Sequence, residues 1–300
     1  MSKLSNSLAA ARGPRVGVVT VAFLSDDVLP QLLTSIKSAS KEPVAVVVVD
    51  NDPSERSLAR IQADEVGAAY IARPDNPGYG AGMNAGVALL PASVKWVVIC
   101  NPDLKLEPGS IDALLSTATT DARIAAVGPT ILNIDGSVYP SARLIPSLRT
   151  GVGHALFAKV WASNPWTKNY TQQRVDALER RDAGWLSGAC LLVRRSAFVG
   201  INGFDEAYFM YFEDVDLGNR FGNTGWRNVF EPAASVVHIG GHSTAGSSAR
   251  MVRAHHESAR RFLDHYYSGW ALWPLRFVFR IGLGSRSAIL RRRLRRSSVI

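Results

Sequence analysis

Residues Val44–Asp50 read VAVVVVD, six apolar residues with four consecutive valines, closed by an acid. β-Branched residues at successive positions disfavour a helix, and the run has no polar face. It therefore reads as a strand covered on both sides, the condition of a parallel strand between two layers of helices. Three other segments place a polar group just after apolar residues: Trp96–Asp103 (WVVICNPD), the Glu213-Asp214 pair in YFMYFEDVDLGNR, and His238 closing AASVVH. In an open α/β sheet, ligands gather beyond the carboxyl ends of the strands, so polar groups from distant segments can share one crevice. Alone, each reads as a surface group after a strand. Together they suggest a metal-assisted reaction on a nucleotide diphosphate.

The remaining pattern agrees with that class. Arg15–Phe23 reads as a first buried strand after the breaker Gly13-Pro14, and Val28–Ser38 has apolar residues at helical spacing. A helix over 54–66, a short strand at 68–72, a helix over 81–90 and the strand at Trp96 continue the alternation. Strand–helix–strand order over 15–105 predicts a mostly parallel central sheet with helices on both faces. Further on come a helix near 108–118, strands at 125–132 and 185–194, a helix over 214–223 and a final strand at 233–238. Residues 136–184 lose clear period and read as an acceptor-side loop.

The formal net charge of +9 is localised. From Arg250 onward there are twelve arginines against Glu257 and Asp264, a net of +10, so residues 1–249 carry −1. The neighbouring stretch 266–284 interleaves Tyr266, Tyr267, Trp270, Trp273, Phe277 and Phe279 with Arg276 and Arg280. Aromatics beside a polybasic end suit the interfacial layer of an anionic membrane better than nucleic acid, and the interrupting arginines and Pro274 argue against a spanning helix. Cys100 and Cys190 sit in apolar runs and read as reduced, buried thiols. No signal peptide is recognisable in residues 1–14, which read as a flexible arm. The domain reading is thus arm 1–14, catalytic domain 15–249 and a basic, helical C-terminal segment 250–300.

Gly80, Gly82 and Ala85 form G-x-G-x-x-A, but after two earlier strands and a proline-rich loop. This is the wrong place for a dinucleotide fingerprint. The glycines read instead as letting backbone approach a ligand near a helix N-terminus. The order VAFLS, VVVVDND, RPDNPGYGAGMNAG, NPDL, WLSGACLLVRR, GFDE, YFMYFEDVDLGNR, VVH resembles the family 2 glycosyltransferases over roughly residues 15–245. Within them it is similar to bacterial rhamnosyltransferases acting on polyprenyl-diphosphate N-acetylglucosamine in actinobacterial cell-wall linkage-unit synthesis.

The resemblance implies a GT-A fold and a set of roles. Asp50 would accept a hydrogen bond from the pyrimidine N3–H of the donor, with Ala22 and Phe23 lining the base pocket. Arg73, Asn76, Gly78 and Asn84 would hold the ribose and diphosphate. Asp103, with His238, would hold Mg²⁺ or Mn²⁺; Asn101 stands where the family's D-x-D has its first acid and would meet ribose or a metal-bound water. His242 is a weaker version of His238. Asp214 would be the general base of an inverting transfer and Glu213 would orient the acceptor, while Asp216 reads as structural. Trp185, Ser187 and Gly188 would touch the acceptor sugar, although Trp185 equally suits core packing. The implied partners are dTDP-L-rhamnose, a polyprenyl-diphosphate-linked GlcNAc acceptor and an anionic membrane surface, with the protein peripheral on the inner face of the cell membrane. A transferase using another nucleotide sugar, or a catalytically silent membrane-surface module, are the rival readings.

Overall fold

The computed structural model describes residues 13–146, 179–240 and 248–274, together with Phe277 and Ile281. The chain enters through β1 (Val16–Ala22), α1 (Leu29–Ala39), β2 (Val44–Asp50), α2 (Ala59–Glu65), β3 (Ala69–Ala72), α3 (Tyr79–Leu89) and β4 (Trp96–Cys100). There follow β5 (Leu104–Leu106), α4 (Ser110–Ala118), β6 (Ile124–Asn133), β7 (Val138–Tyr139) and β8 (Ala142–Arg143). The last described part holds β9 (Arg181–Ala183), β10 (Trp185–Leu186), β11 (Cys190–Arg194), α5 (Arg195–Gly200), α6 (Glu213–Asn223), β12 (Arg227–His238) and α7 (Ser248–Tyr266).

The main sheet runs β3-β2-β1-β4-β11-β6-β12-β5. Its first four strands are parallel; β11 is inserted antiparallel between β4 and β6, and β12 returns parallel to β6. Register sets the functional edge, because Ala22 lies opposite Asp50 and Thr20 opposite Cys100. The ends of β1, β2 and β4 therefore open on the same side.

The valine runs are buried on both faces, as their composition requires. Val18, Val48, Val98 and Leu192 share one core with Leu29, Leu32 and Ile36 of α1 and Ile111 and Leu114 of α4. Val19, Val47, Val49, Val97 and Ile99 share the other with Met83 and Val87 of α3 and Leu217 and Phe221 of α6. Each such side chain contributes about 1.5–3 kcal/mol by burial, so this two-sided packing dominates the fold. Cys100 and Cys190 are buried free thiols, cross-strand neighbours in the β4–β11 pair.

Several expectations need correction. The expected strand 185–194 is two strands, broken at Ser187–Ala189, and β10 pairs with β8 in a separate small sheet. The aperiodic stretch 136–184 contains β7, β8 and β9, each too short to show a period. The final strand begins at Arg227 rather than 233, a shift in register between Glu231 and Ser235 interrupting its apolar pattern. The glycines of α3 serve packing: a Cβ on Gly86 would collide with Val19, and one on Gly82 would stand 2.8 Å from Val21. That is how closely α3 lies on β1. Ala254, Ala259 and Phe262 of α7 are buried, so this helix packs against the rest of the described chain. The arm at 1–12, residues 147–178, His242 and the arginine-rich run from 282 lie outside the described residues.

Candidate active site

Two groups of residues make up the site, one at the ends of β1, β2 and β4 and one at the start of α6, linked through residues 188–189. In the first group, Asp50 closes β2 and is almost wholly buried. Its Oδ1 accepts the Asp52 N–H at 2.9 Å, and its Oδ2 accepts Ser57 Oγ at 2.7 Å and Tyr70 Oη at 2.9 Å. The carboxylate organises its own loop, which leaves about one of its four acceptor positions for a ligand. The Tyr70 hydroxyl is pushed up to about 12 by burial and by its bond to Asp50. The Ala22 C=O accepts the Asn51 N–H at 2.8 Å, and Ser25 Oγ closes a small turn with both backbone groups of Phe23.

Asn51, absent from the sequence reading, ties this edge to the next loop. Its Nδ2 donates to the Gly78 C=O at 3.2 Å and to Asn76 Oδ1 at 3.4 Å. The only hint in the sequence is its place in D-N-D after a buried strand. Asn76 and Gly78 have φ of 38° and 98°, both in the left-handed half of φ/ψ space. A Cβ on Gly78 would collide with the Phe209 carbonyl oxygen, so only glycine fits there. Arg73 forms an exposed two-pronged pair with Asp75, at 2.9 and 3.0 Å. Such a pair is weakly held in water, so the guanidinium can exchange its partner for a phosphate. Asn84 stands apart. Its amide donates to the Phe204 C=O and Glu206 and accepts the Phe204 N–H, so it holds the 204–206 turn and does not face the crevice group.

Asp103 and His238 meet because β5 returns antiparallel to β12, with His238 opposite Leu104. The imidazole Nε2 lies 3.1 Å from Asp103 Oδ1, and both side chains keep partial exposure. A carboxylate oxygen and an imidazole nitrogen are a suitable donor pair for a divalent cation. No group of three or more His, Cys, Asp or Glu is assembled for a metal among the described residues. A cation on Asp103 and His238 would need further ligands beyond these two side chains. Asn101 itself is fixed by its N–H on the Ala189 C=O at 2.8 Å.

In the second group, α6 opens with Glu213 and Asp214 in its first turn. Asp214 Oδ2 accepts the Gly188 N–H at 2.9 Å and its Oδ1 the Val215 N–H at 2.8 Å. The Gly188 C=O accepts Tyr79 Oη at 2.6 Å. Tyr79, Gly188, Asp214 and Asn101 thus form one connected wall through residues 188–189. Glu213 differs from its neighbour: Oε2 is buried and has no hydrogen-bond partner. Burial first, then the Asp214 charge, pushes Glu213 up to about 8. Burial also raises Asp214, but its backbone N–H bonds and the Arg143 guanidinium oppose the rise. Of the pair, Glu213 holds the proton and Asp214 is the better supported anion, further favoured at a helix N-terminus.

Trp185 is nearly buried, donates Nε1–H to the Leu144 C=O at 3.1 Å, and lies under the Arg143 guanidinium. This is core packing, the bland alternative for that residue. Ser187 is buried with its N–H on the Ser141 C=O, so it shapes the wall behind Gly188. Asp216 pairs with Arg220 at 2.7 Å, the structural role expected of it. Tyr79 and Arg143 were missed; Arg143 lies in the aperiodic stretch, and nothing in its neighbourhood marked it.

Residues 14–256 match the family described as glycosyltransferase like family 2. N-acetylglucosaminyl-diphospho-decaprenol L-rhamnosyltransferase of Mycobacterium tuberculosis is 43% identical over 290 residues, 93% of this chain and 94% of that protein. Rhamnosyltransferase WbbL of Escherichia coli K12 is 28% identical over 258 residues, 83% of this chain and 92% of the relative. Among solved structures, a mannosyltransferase from Pyrobaculum calidifontis in complex with GDP-Man and Mn²⁺ superposes with a TM-score of 0.58. That likeness covers 85% of this chain and 65% of the other at 13% identity, and concerns the fold alone. The fold is GT-A.

Proposed function

Because the chain belongs to glycosyltransferase like family 2, we propose that it is an inverting L-rhamnosyltransferase moving rhamnose from dTDP-L-rhamnose to N-acetylglucosaminyl-diphospho-polyprenol. The observation that carries the chemistry is the pair of buried Glu213 and half-buried Asp214, the latter held on Gly188 with Tyr79 and joined through residues 188–189 to Asn101, two residues before Asp103. The 43% identity over nearly the whole of both chains supports the choice of sugar and acceptor.

The reaction is a single displacement. Asp214 takes the proton of the acceptor hydroxyl as its oxygen bonds to the sugar's anomeric carbon, while the bond from that carbon to the diphosphate oxygen breaks. The electron pair leaves with the nucleotide diphosphate, and the sugar inverts. Protonated Glu213 donates toward the acceptor and keeps a second negative charge away from Asp214. Ala22, Phe23 and the remaining acceptor position of Asp50 receive the base; Arg73, Asn76 and Gly78 receive the ribose and diphosphate. Asp103 and His238 would hold Mg²⁺ or Mn²⁺, which when bound offsets the charge on the diphosphate oxygens.

A lipid-linked acceptor requires the enzyme at a membrane surface. No described helix is long and apolar enough to cross a membrane. Tyr266, which closes α7, and Trp270, Trp273, Phe277 and Ile281, which follow the break at Gly269, are all exposed. We assign these side chains, with the arginines around them, to an anionic membrane surface on the inner face of the cell membrane.

The test is transfer to a synthetic polyprenyl-diphosphate-GlcNAc from dTDP-rhamnose, UDP-glucose, UDP-galactofuranose or UDP-GlcNAc, with Mg²⁺ or Mn²⁺ and an EDTA control. Metal-dependent transfer from dTDP-rhamnose alone is expected. Transfer from another donor would discard the sugar assignment and keep the mechanism.

A further inference from the structure

Glu213 and Asp214 inherit their position from residues 205–212, and that loop is gripped from two sides. On the nucleotide side, the Phe209 C=O accepts the Tyr79 N–H at 3.0 Å, directly against Gly78. On the other side lies α7. The Arg261 guanidinium holds Asp205 Oδ2 at 2.8 and 3.1 Å and lies over the Tyr208 ring. Ser258 Oγ donates to the Met210 C=O at 2.8 Å. The His255 ring meets Tyr211 and Phe212 edge-on at 5.4 and 5.5 Å, and Phe262 lies 5.7 Å from Phe212.

The loop needs this support. Tyr211 and Phe212 have φ of 69° and 66°, consecutive left-handed residues without glycine's freedom, immediately before the two acids. Such backbone persists only where its surroundings over-determine it. Around Tyr211 and Phe212, those surroundings include His255, Ser258 and Phe262 of α7. Tyr266, at the end of the same helix, stacks on Phe262 at 5.5 Å, so the exposed aromatic segment begins where the grip on the loop ends.

We infer that α7 positions the acceptor-side acids, with Arg261 and Ser258 as positioning residues that hold the 205–212 loop in its left-handed turn. Neither touches the reacting atoms; both act through the backbone that carries Glu213 and Asp214. The kinetic arm rests on the transferase reading above. A second arm is independent of it.

In the full chain, R261A is expected to lower kcat by about ten- to hundredfold through misplacement of the base, with KM for the nucleotide sugar within about twofold. R261K, which keeps the charge and loses the fork, is expected to recover part of the loss. S258A, the deletion of one hydroxyl, is the variant to read if R261A folds poorly; it should show the same split at smaller size. Amide exchange of residues 206–215 should speed up in both alanine variants while β1, β2 and β4 keep their protection. Unchanged kcat with unchanged exchange overturns the inference. So does a loss of kcat accompanied by an equal rise in exchange across the whole sheet, which is general destabilisation. If the unmodified protein transfers no sugar from any donor, the transferase reading fails and the exchange arm alone decides the role of α7.

Discussion

Replacing Glu213 by glutamine isolates the cost of burying an acid in this crevice. Glu213 is pushed from its ordinary 4.5 up to about 8 because burial penalises the anion and the Asp214 charge adds to it, while Oε2 has no hydrogen-bond partner. Between pH 4.5 and 8 the unfolded chain therefore loses this proton and the folded chain keeps it. The unfolded state binds fewer protons there, so stability falls as pH rises, by about 1.4 kcal/mol per unit. Below 4.5 the cost is absent, and above about 8 it stops growing. At pH 7 the accumulated penalty is about 3 kcal/mol. Glutamine has the shape of the protonated acid and does not titrate, so E213Q escapes the penalty; the Asp214 contribution remains in both proteins. Urea unfolding of the two proteins without ligand at pH 5 and pH 7.5 is the assay. The two should lie within about 1 kcal/mol at pH 5, and E213Q should be about 3–4 kcal/mol more stable at pH 7.5. A stability difference that does not change with pH would refute the reasoning, because it would place the Glu213 pKa near its ordinary value.

Three further outcomes follow from the geometry. Removing the imidazole in H238A should raise the Mg²⁺ or Mn²⁺ concentration for half-maximal transfer by at least about tenfold, with a smaller effect on nucleotide affinity measured calorimetrically without metal. Replacing both Trp270 and Trp273 by serine should weaken binding to anionic vesicles by about tenfold or more in a sedimentation assay, given the large apolar area each ring offers. G78A forces a Cβ against the Phe209 carbonyl at a left-handed φ; the unfolding free energy should drop by about 1–3 kcal/mol, checked by denaturant titration.

The valine runs made the parallel half of the sheet legible, because side chains buried on both faces leave no polar alternation to misread. They also located the functional edge: Asp50, Asn101, Asp103 and His238 all close or follow a strand. Contacts that depend on backbone placement were hidden. Gly80 and Gly82 read as ligand approach, whereas they make room for Phe204 and for Val21 of β1. The family resemblance implied that Asn84 holds the ribose and diphosphate, but its amide is taken up by Phe204, 120 residues away in the chain. Tyr79 stood inside a quoted motif without a role of its own and Arg143 carried no motif; their relation to Asp214 exists only in the folded chain, through Gly188 for Tyr79 and through charge for Arg143. The difference between Glu213 and Asp214 is likewise a matter of which carboxylate finds backbone N–H groups, and adjacent letters do not encode that.

The account stands or falls on Asp214 as the group that takes the acceptor proton. The most direct measurement is the single-turnover rate of D214N beside the unmodified protein, with dTDP-rhamnose bound and polyprenyl-diphosphate-GlcNAc in excess. Asparagine can still accept the Gly188 N–H but cannot take a proton, so the rate should fall by about 10²–10⁴ with nucleotide affinity unchanged. A D214N protein that transfers at the unmodified rate would contradict the assignment and move the search for the base to another residue of the crevice.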